Sequence, residues 1–156
     1  MFKKILFCTD FSENAHWAFT YALDLAKTYQ AKLLILHVTP DPVFIYPDLI
    51  NAYISEKILL EIEASEEKKM DQEFDTYYLQ KMDGFKDYKV LLKKGVAFYK
   101  IIQTAKEEAV DLIVMGTHGR TGLDHILFGS TAERVVRKSP SPVLTVRLPG
   151  KRFVMP

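Results

Sequence analysis

The sequence predicts an α/β protein built on a parallel sheet with helices on both faces. Short apolar runs typical of buried strands alternate along the chain with longer segments whose apolar residues recur at helical spacing. That alternation favours right-handed strand–helix–strand crossovers, which place helices on both faces of one sheet. The 156 residues suit a single domain. We expect it to span residues 1–148, followed by a tail at 149–156.

Two strands and two helices are predicted in the first half of the chain. Residues 5–8 form the first strand, and the polar residues after it open a helix that runs to about residue 29. Residues 33–38 form the second strand, and the prolines after it indicate a loop. A long helix is expected from about residue 49 to residue 82. Four isoleucines share one stripe of that helix: Ile50, Ile54, Ile58 and Ile62.

The second half of the chain repeats the alternation. Strands are predicted at residues 88–92, 112–115 and 143–146. Apolar residues at helical spacing between positions 96 and 109 mark a third helix, and residues 130–138 mark a fourth. The chain therefore supplies five strands and four helices, with no internal repeat and no domain boundary.

Composition and charge exclude several classes of protein. The net charge of +1 gives no broad basic field, so we expect no nucleic-acid partner. No apolar run approaches the ~20 residues of a membrane span, and the first apolar stretch, which ends at Thr9, is too short for a signal peptide. Cys8 is the only cysteine, which fits a reducing compartment. We expect a cytoplasmic protein without a membrane segment.

The most informative segment is the glycine-dense stretch between the fourth strand and the fourth helix. It is neither a Walker A motif nor a dinucleotide fingerprint, but follows Gly-x-x-Gly, nine residues, Gly-Ser-Thr. Gly116 would leave room for a ligand, and a positive φ at Gly119 would turn main-chain amides inward. The helix N-terminus favours an anion at the same place. The residues of the pattern are Gly116, Gly119, Gly129, Ser130 and Thr131.

A ligand-free interpretation of the same residues stays open. Ser130 and Glu133 have capping-box spacing, which stabilises a helix by ~1 kcal/mol without any ligand. Gly119 and Gly122 can equally be turn residues. The pattern alone does not decide between a phosphate site and an ordinary capped loop.

At these residues the chain resembles the ATP-binding branch of the universal stress protein family. Gly116, Gly119, Gly129 and Ser130 match every position of that branch's glycine pattern. The segments 4–12, 36–38, 111–116 and 141–146 are similar to the family's first, second, fourth and fifth strands, so the likeness covers nearly the whole chain. One departure is Cys8, which stands where several ATP-binding relatives carry proline.

The resemblance implies a Rossmann-like adenine-nucleotide-binding fold with an open five-stranded sheet in the order 3-2-1-4-5. Strands one and four are then neighbours whose connections leave in opposite directions. Ligands of such sheets bind beyond the carboxyl ends of the strands at this switch point. Thr9 and Asp10 end the first strand and Gly116 ends the fourth, so these residues should converge.

The resemblance also implies roles for individual residues and ATP with Mg²⁺ as the bound group. Thr9 and Asp10 match positions that meet the adenosine or its metal, and Asp10 could approach a phosphate-bound Mg²⁺. Val38 matches a position whose backbone meets the adenine, and Met115 and Gly116 line the sugar. The phosphates are surrounded by Gly119, Arg120, Gly129, Ser130 and Thr131. Asp10 could instead cap the first helix, and Arg120 could be a solvated loop cation.

The histidines give no metal signal. His16, His37 and His125 lack metal-ligand spacing and are interpreted as structural, whereas His118 lies in the glycine loop, where it could touch a ligand.

The family implies a nucleotide-dependent regulatory or sensor homodimer in a stress response, joined through the fifth strands, with protein partners that the sequence does not name. A slow ATPase or a phosphoryl or adenylyl transfer enzyme is the alternative, although no catalytic residue is identifiable. A nucleotide-free dimeric scaffold is a second alternative, against which the intact glycine pattern argues.

Overall fold

A computed structural model describes residues 1–41, 50, 54–119 and 129–150. Five parallel strands form one sheet in the order β3-β2-β1-β4-β5, which confirms the predicted fold class and strand order. The strands are β1 (Lys4–Thr9), β2 (Lys32–Thr39), β3 (Tyr88–Lys94), β4 (Leu112–Gly116) and β5 (Val143–Val146). The helices are α1 (Glu13–Tyr29), α2 (Glu56–Tyr77), α3 (Ala97–Glu107) and α4 (Ser130–Lys138), and a short 3₁₀ turn, Leu79–Lys81, follows α2.

The sheet separates two hydrophobic cores. Ile5 and Phe7 of β1 point into the core formed with α1 and α2, whereas Leu6 and Cys8 point into the core formed with α3 and α4. Side chains alternate between the two faces along a strand, so a strand covered on both faces must be apolar throughout. This requirement explains the uninterrupted apolar runs in β1, β2 and β4.

The central strands create the expected switch point. β1 and β4 are hydrogen-bonded neighbours, with Cys8 paired to Met115 near their carboxyl ends. The chain leaves β1 for α1 on one face of the sheet and leaves β4 for α4 on the other. A crevice therefore opens between the two strand ends, which is where ligands of open α/β sheets bind.

The long helix differs from its prediction. α2 begins at Glu56, where the hydroxyl of Ser55 accepts a hydrogen bond from the Ile58 amide at 3.4 Å. Positions 49 and 51–53 of the predicted helix lie outside the described residues. The isoleucine stripe is not buried along its length: Ile50 is buried, whereas Ile58 and Ile62 on α2 are 47% and 44% exposed. Met70 and Phe74, further along the helix, are its buried residues. Only the second half of α2 therefore packs on the sheet.

None of the helices in the described ranges combines the length and the apolar character that a membrane span requires.

Candidate functional site

A cavity of about 230 Å³ lies at the carboxyl ends of β1 and β4, beside the N-terminus of α4. One end is apolar, with Leu36 and Val38 of β2 facing Ala97 and Ile101 of α3, and Met115 completing the wall. The other end is polar and contains residues of the glycine pattern together with Asp10. Its lining residues are Thr9, Asp10, Gly116, Thr117, His118, Gly119, Gly129, Ser130 and Thr131.

At the start of α4, three main-chain amides beside this cavity have no hydrogen-bond acceptor among the described residues. Gly129 is the N-cap residue, and its own amide donates to the Thr117 carbonyl at 2.7 Å. The first bond within the helix runs from the Glu133 amide to the Gly129 carbonyl at 3.0 Å. The amides of Ser130, Thr131 and Ala132 therefore precede the helical ladder, and none has an acceptor in the described part of the chain. All three residues line the cavity.

This geometry corrects the capping-box interpretation of Ser130. No side chain caps α4, and Ser130 is already the first helical residue rather than the cap. Because Gly129 has no side chain, it cannot accept from these amides as a serine cap would. Within the described part of the chain, no protein group occupies the place that a bound anion would take at this helix end.

Gly116 and Gly119 serve close packing rather than unusual backbone angles. The positive φ expected at Gly119 is not observed, since its φ lies outside the left-handed region. A Cβ on Gly119 would instead stand 2.5 Å from Oδ2 of Asp10. A Cβ on Gly116 would meet main-chain and side-chain atoms of Asn14 at 3.0 Å, so glycine there allows α1 to approach β4. Gly129 has more room, with its nearest atoms at 3.5 Å.

Asp10 lies in the cavity and also supports the start of α1. Its Oδ1 accepts hydrogen bonds from the Ser12 amide at 3.1 Å and from the Ser12 hydroxyl at 2.6 Å. Ser12 is the N-cap residue, and its hydroxyl accepts from the Ala15 amide at 3.3 Å. The expectation that Asp10 could cap α1 is therefore wrong, because Ser12 is the cap and Asp10 only supports it. Oδ1 binds Ser12 while Oδ2 faces Gly119.

Thr9 lines the cavity, but its hydroxyl is used elsewhere. Oγ1 shares a hydrogen bond with the hydroxyl of Tyr78 and accepts one from the Phe11 amide at 2.9 Å. Its carbonyl contacts Nδ1 of His37 at 2.7 Å. Phe11 and Tyr78 belong to the core on the opposite face of the sheet, so the Thr9 hydroxyl does not serve the cavity.

Two of the histidines pack against aromatic rings, and a third lines the cavity. His37 is buried against Phe11, and His16 stacks on Tyr77 with ring centroids 4.2 Å apart. Burial and the nearby Lys81 ammonium lower the pKa of His16. His118 lines the cavity, and its Nδ1 lies 3.0 Å from the Thr117 hydroxyl. Within the described ranges no three His, Cys, Asp or Glu side chains cluster as metal ligands do.

Cys8 of β1 and two residues of α3 also line the cavity. Arg120, Gly122 and His125 lie outside the described residues. Cys8 lines the cavity, and burial raises the pKa of its thiol far above the usual range, so the thiol stays protonated. Sequence reasoning missed Ala97 and Ile101, which reach the cavity from α3. Helical spacing indicates only that Ile101 faces the core, and nothing local distinguishes a core side chain from one lining a cavity.

Comparison with known proteins identifies the family. The sequence model described as the universal stress protein family matches residues 1–147. The universal stress protein MJ0577 of Methanocaldococcus jannaschii is 32% identical over 159 aligned positions, which cover 94% of this chain and 96% of the relative. The chain therefore belongs to the universal stress protein family.

Solved structures agree with that assignment. The structure of MJ0577 superposes with a TM-score of 0.74 over 95% of this chain and 97% of that one. The universal stress protein UspA from Lactobacillus plantarum, 29% identical, gives 0.73 over 93% and 97%. A universal stress protein solved in complex with cAMP, 23% identical, shares the fold with a TM-score of 0.59 over 93% and 96%.

Proposed function

We propose that this chain binds ATP with Mg²⁺ and acts as a nucleotide-dependent regulatory homodimer in a stress response. The observation that carries the proposal is a row of three amides beside the cavity, at Ser130, Thr131 and Ala132, which have no acceptor among residues 1–41, 50, 54–119 and 129–150. Amides at a helix N-terminus, together with the helix dipole, favour a phosphate group.

The shape of the cavity favours a nucleotide over a simple anion. Its apolar end, between β2 and α3, suits a flat base, while its polar end suits phosphates. Met115 at the apolar end and Gly116 at the polar end are consecutive residues of β4, so a ribose would lie beside them where the two ends meet. The universal stress protein solved with cAMP carries an adenine nucleotide on the same fold. This likeness supports an adenine nucleotide here, which would place the base near Val38.

Asp10 supports the inclusion of Mg²⁺. It is the one carboxylate among the described residues that line the cavity, and it stands at the polar end beside Gly119. A carboxylate and a triphosphate repel each other unless a cation lies between them, and Mg²⁺ is commonly held by one carboxylate together with phosphate oxygens. We therefore infer that Asp10 meets the metal of Mg-ATP, directly or through water.

The open edge of β5 supports the homodimer. β5 pairs with β4 along one side only within the described sheet, and its four residues are mainly apolar. An uncovered apolar edge is an aggregation hazard, which pairing with a second copy would remove. We propose a cytoplasmic location, in keeping with a single, buried cysteine.

The first test is to identify any nucleotide that the protein carries. Protein purified without added nucleotide is denatured with acid, and the extract is separated by anion exchange; we expect an ATP or ADP peak in stoichiometric amount. The emptied protein is then titrated calorimetrically with Mg-ATP, Mg-ADP and AMP. Saturation at 100 times Kd should raise the free energy of unfolding by ~2.7 kcal/mol.

Two outcomes would contradict the proposal. An empty extract followed by no heat with any adenylate would favour a nucleotide-free scaffold. Rapid phosphate release from the bound ATP would favour the enzyme alternative, whereas a regulatory binder should retain ATP over many minutes.

A further inference from the structure

We propose that Tyr78, which lies on the opposite face of the sheet from the cavity, is a positioning residue for the nucleotide site. Its hydroxyl acts through Thr9 on the turn that carries Asp10. The proposal rests on the proposed ATP binding and adds a residue that touches no ligand.

The turn between β1 and α1 requires a stabilising contact. Phe11 has a φ of 59°, in the left-handed region that a bulky side chain seldom adopts. The Phe11 amide donates to Thr9 Oγ1 at 2.9 Å, and this bond across two residues closes the turn. Asp10 lies at the centre of the turn, so its direction toward Gly119 depends on the same closure.

Tyr78 fixes the Thr9 hydroxyl that closes the turn. The two hydroxyls share a hydrogen bond, although the residues lie 69 positions apart in the chain. Tyr78 is fully buried, and its ring packs on Phe7, Phe11 and Phe19 with centroids 5.3, 5.9 and 4.8 Å away. A ring packed on several sides holds its hydroxyl within a narrow range of positions, whereas the hydroxyl of an exposed side chain moves more freely. Burial also raises the pKa of Tyr78, so the hydroxyl keeps its proton at physiological pH.

Tyr78 influences the cavity only indirectly, because the sheet lies between them. Tyr78 belongs to the core beneath α1 and α2, whereas the cavity opens between β1, β4, α3 and α4. Any effect of the Tyr78 hydroxyl on a nucleotide must therefore pass through the backbone from Thr9 to Ser12. Coupling of this kind is reciprocal: if the Tyr78–Thr9 contact favours nucleotide binding, bound nucleotide stabilises the contact by the same free energy.

The test compares hydroxyl deletions with matched controls in the full-length protein, using the Kd of Mg-ATP. Tyr78→Phe and Thr9→Val each remove one end of the contact and should weaken binding by roughly three- to thirtyfold, the range set by loss of one buried hydrogen bond. Combining them should weaken binding no further than Thr9→Val alone, because the two hydroxyls act as one unit. Thr9→Ser, which restores a hydroxyl, should recover most of the affinity lost in Thr9→Val.

Two controls separate positioning from general stability. Tyr77→Phe removes the neighbouring hydroxyl, which has no hydrogen-bond partner among the described residues. Ile5→Val trims a buried side chain at the other end of β1 and lowers the free energy of unfolding. Both should leave the Kd unchanged. In the ligand-free protein, hydrogen exchange of the Phe11 amide should accelerate in Tyr78→Phe and not in the controls.

Each outcome decides one of the two proposals. If the wild-type protein binds no adenylate, the proposed function fails, and this inference fails with it. If the wild type binds Mg-ATP but Tyr78→Phe leaves both the Kd and the Phe11 exchange rate unchanged, the positioning role is overturned while nucleotide binding stands. The positioning role is likewise overturned if Ile5→Val weakens binding as much as Tyr78→Phe does.

Discussion

Gly119 lies so close to Asp10 that a Cβ on the glycine would stand 2.5 Å from the carboxylate oxygen Oδ2. Real Cβ atoms do not approach other atoms so closely, so a side chain at position 119 and the observed position of Asp10 exclude each other. The two residues come from neighbouring strands, since Asp10 follows β1 and Gly119 lies three positions after β4. The close approach of Gly119 to Asp10 therefore determines the shape of the polar end of the cavity.

The first prediction concerns Gly119→Ala. The new methyl group must displace Asp10 or the loop, so we expect the Kd of Mg-ATP to rise by at least about tenfold and the free energy of unfolding to fall by about 1–3 kcal/mol. Calorimetric titration and urea unfolding measure the two quantities. Gly129→Ala should weaken binding less, because its Cβ would find atoms no nearer than 3.5 Å.

Gly84→Ala is the matched control for that loss of stability. Gly84 has a φ of +77° with no atom near its Cβ position, and it lies in the turn before β3. Alanine there is strained by its backbone conformation alone, at a cost of about 1 kcal/mol. If Gly84→Ala weakens nucleotide binding as much as Gly119→Ala does, the contact with Asp10 is not the cause.

The second prediction separates the two functions of the Asp10 carboxylate. Asp10→Asn keeps an acceptor for Ser12, so the free energy of unfolding should change little, while the dependence of ATP affinity on Mg²⁺ should fall toward none. Asp10→Ala also removes the support of the Ser12 cap and should cost about 1 kcal/mol of stability. The measurement is the ratio of Kd values without and with Mg²⁺. An unchanged ratio in Asp10→Asn would show that the carboxylate does not meet the metal.

The sequence predicts the sheet well because its signals are local. Each buried strand is a run of consecutive apolar residues, and alternation with helical spacing determines the crossovers. All five strands lie within two residues of their predicted bounds. The isoleucine stripe of the long helix is less informative, since Ile50 is buried while Ile58 and Ile62 are exposed. Periodicity indicates which residues share a face but not whether that face meets a core.

The sequence points to the loop that borders the cavity but not to the physical reasons for its residues. The pattern of Gly116, Gly119 and Gly129 marks this loop, yet the need for glycine at 119 comes from Asp10, more than a hundred residues earlier. The capping-box spacing at Ser130 suggests a satisfied helix end, yet the helix begins one residue earlier than a serine cap allows. The Thr9–Tyr78 contact could not be predicted from the sequence, because no local pattern relates a hydroxyl on β1 to one at the end of α2.

The third prediction tests the proposed dimer through β5. The Ile113 amide donates to the Pro142 carbonyl at 2.9 Å, and the Thr117 amide donates to the Val146 carbonyl at 3.0 Å. Hydrogen bonds alternate along a parallel strand, so the amide of Thr145 points to the open edge. Thr145→Pro removes that donor without breaking the pairing of β5 with β4, and proline is tolerated on an edge strand. We expect dimer affinity to fall by about tenfold or more with the melting temperature of the monomer preserved.

Analytical ultracentrifugation over a range of concentrations measures that dimer affinity. Thr145→Val is the companion substitution, because it keeps the amide and should keep the dimer. A protein that is monomeric at every concentration before any substitution, or whose dimer survives Thr145→Pro unchanged, would rule out pairing through this edge.

The fourth prediction concerns Asp111, at the opposite end of the sheet from the cavity. Oδ2 of Asp111 accepts hydrogen bonds from the amides of Lys3 and Lys4 at 2.7 and 2.9 Å. These two hydrogen bonds link the start of β1 to the start of β4. These amides lower the pKa of the carboxyl, mainly through the hydrogen bond from Lys3. A carboxyl with a lowered pKa stabilises the fold above its usual pKa, and this contribution is lost as the pH falls through the lowered value.

Asp111→Asn keeps the shape and an acceptor but removes the charge, so the wild type should be more stable than the variant at pH 7. That difference should shrink as the pH falls below the usual range of an aspartate and vanish once both proteins carry a neutral group. Urea unfolding between pH 7 and pH 3 measures it, and Mg-ATP affinity at pH 7 should be unaltered because Asp111 is remote from the cavity. A difference that persists undiminished at pH 3 would mean that the charge on Asp111 contributes nothing, and that any loss in the variant comes from altered packing.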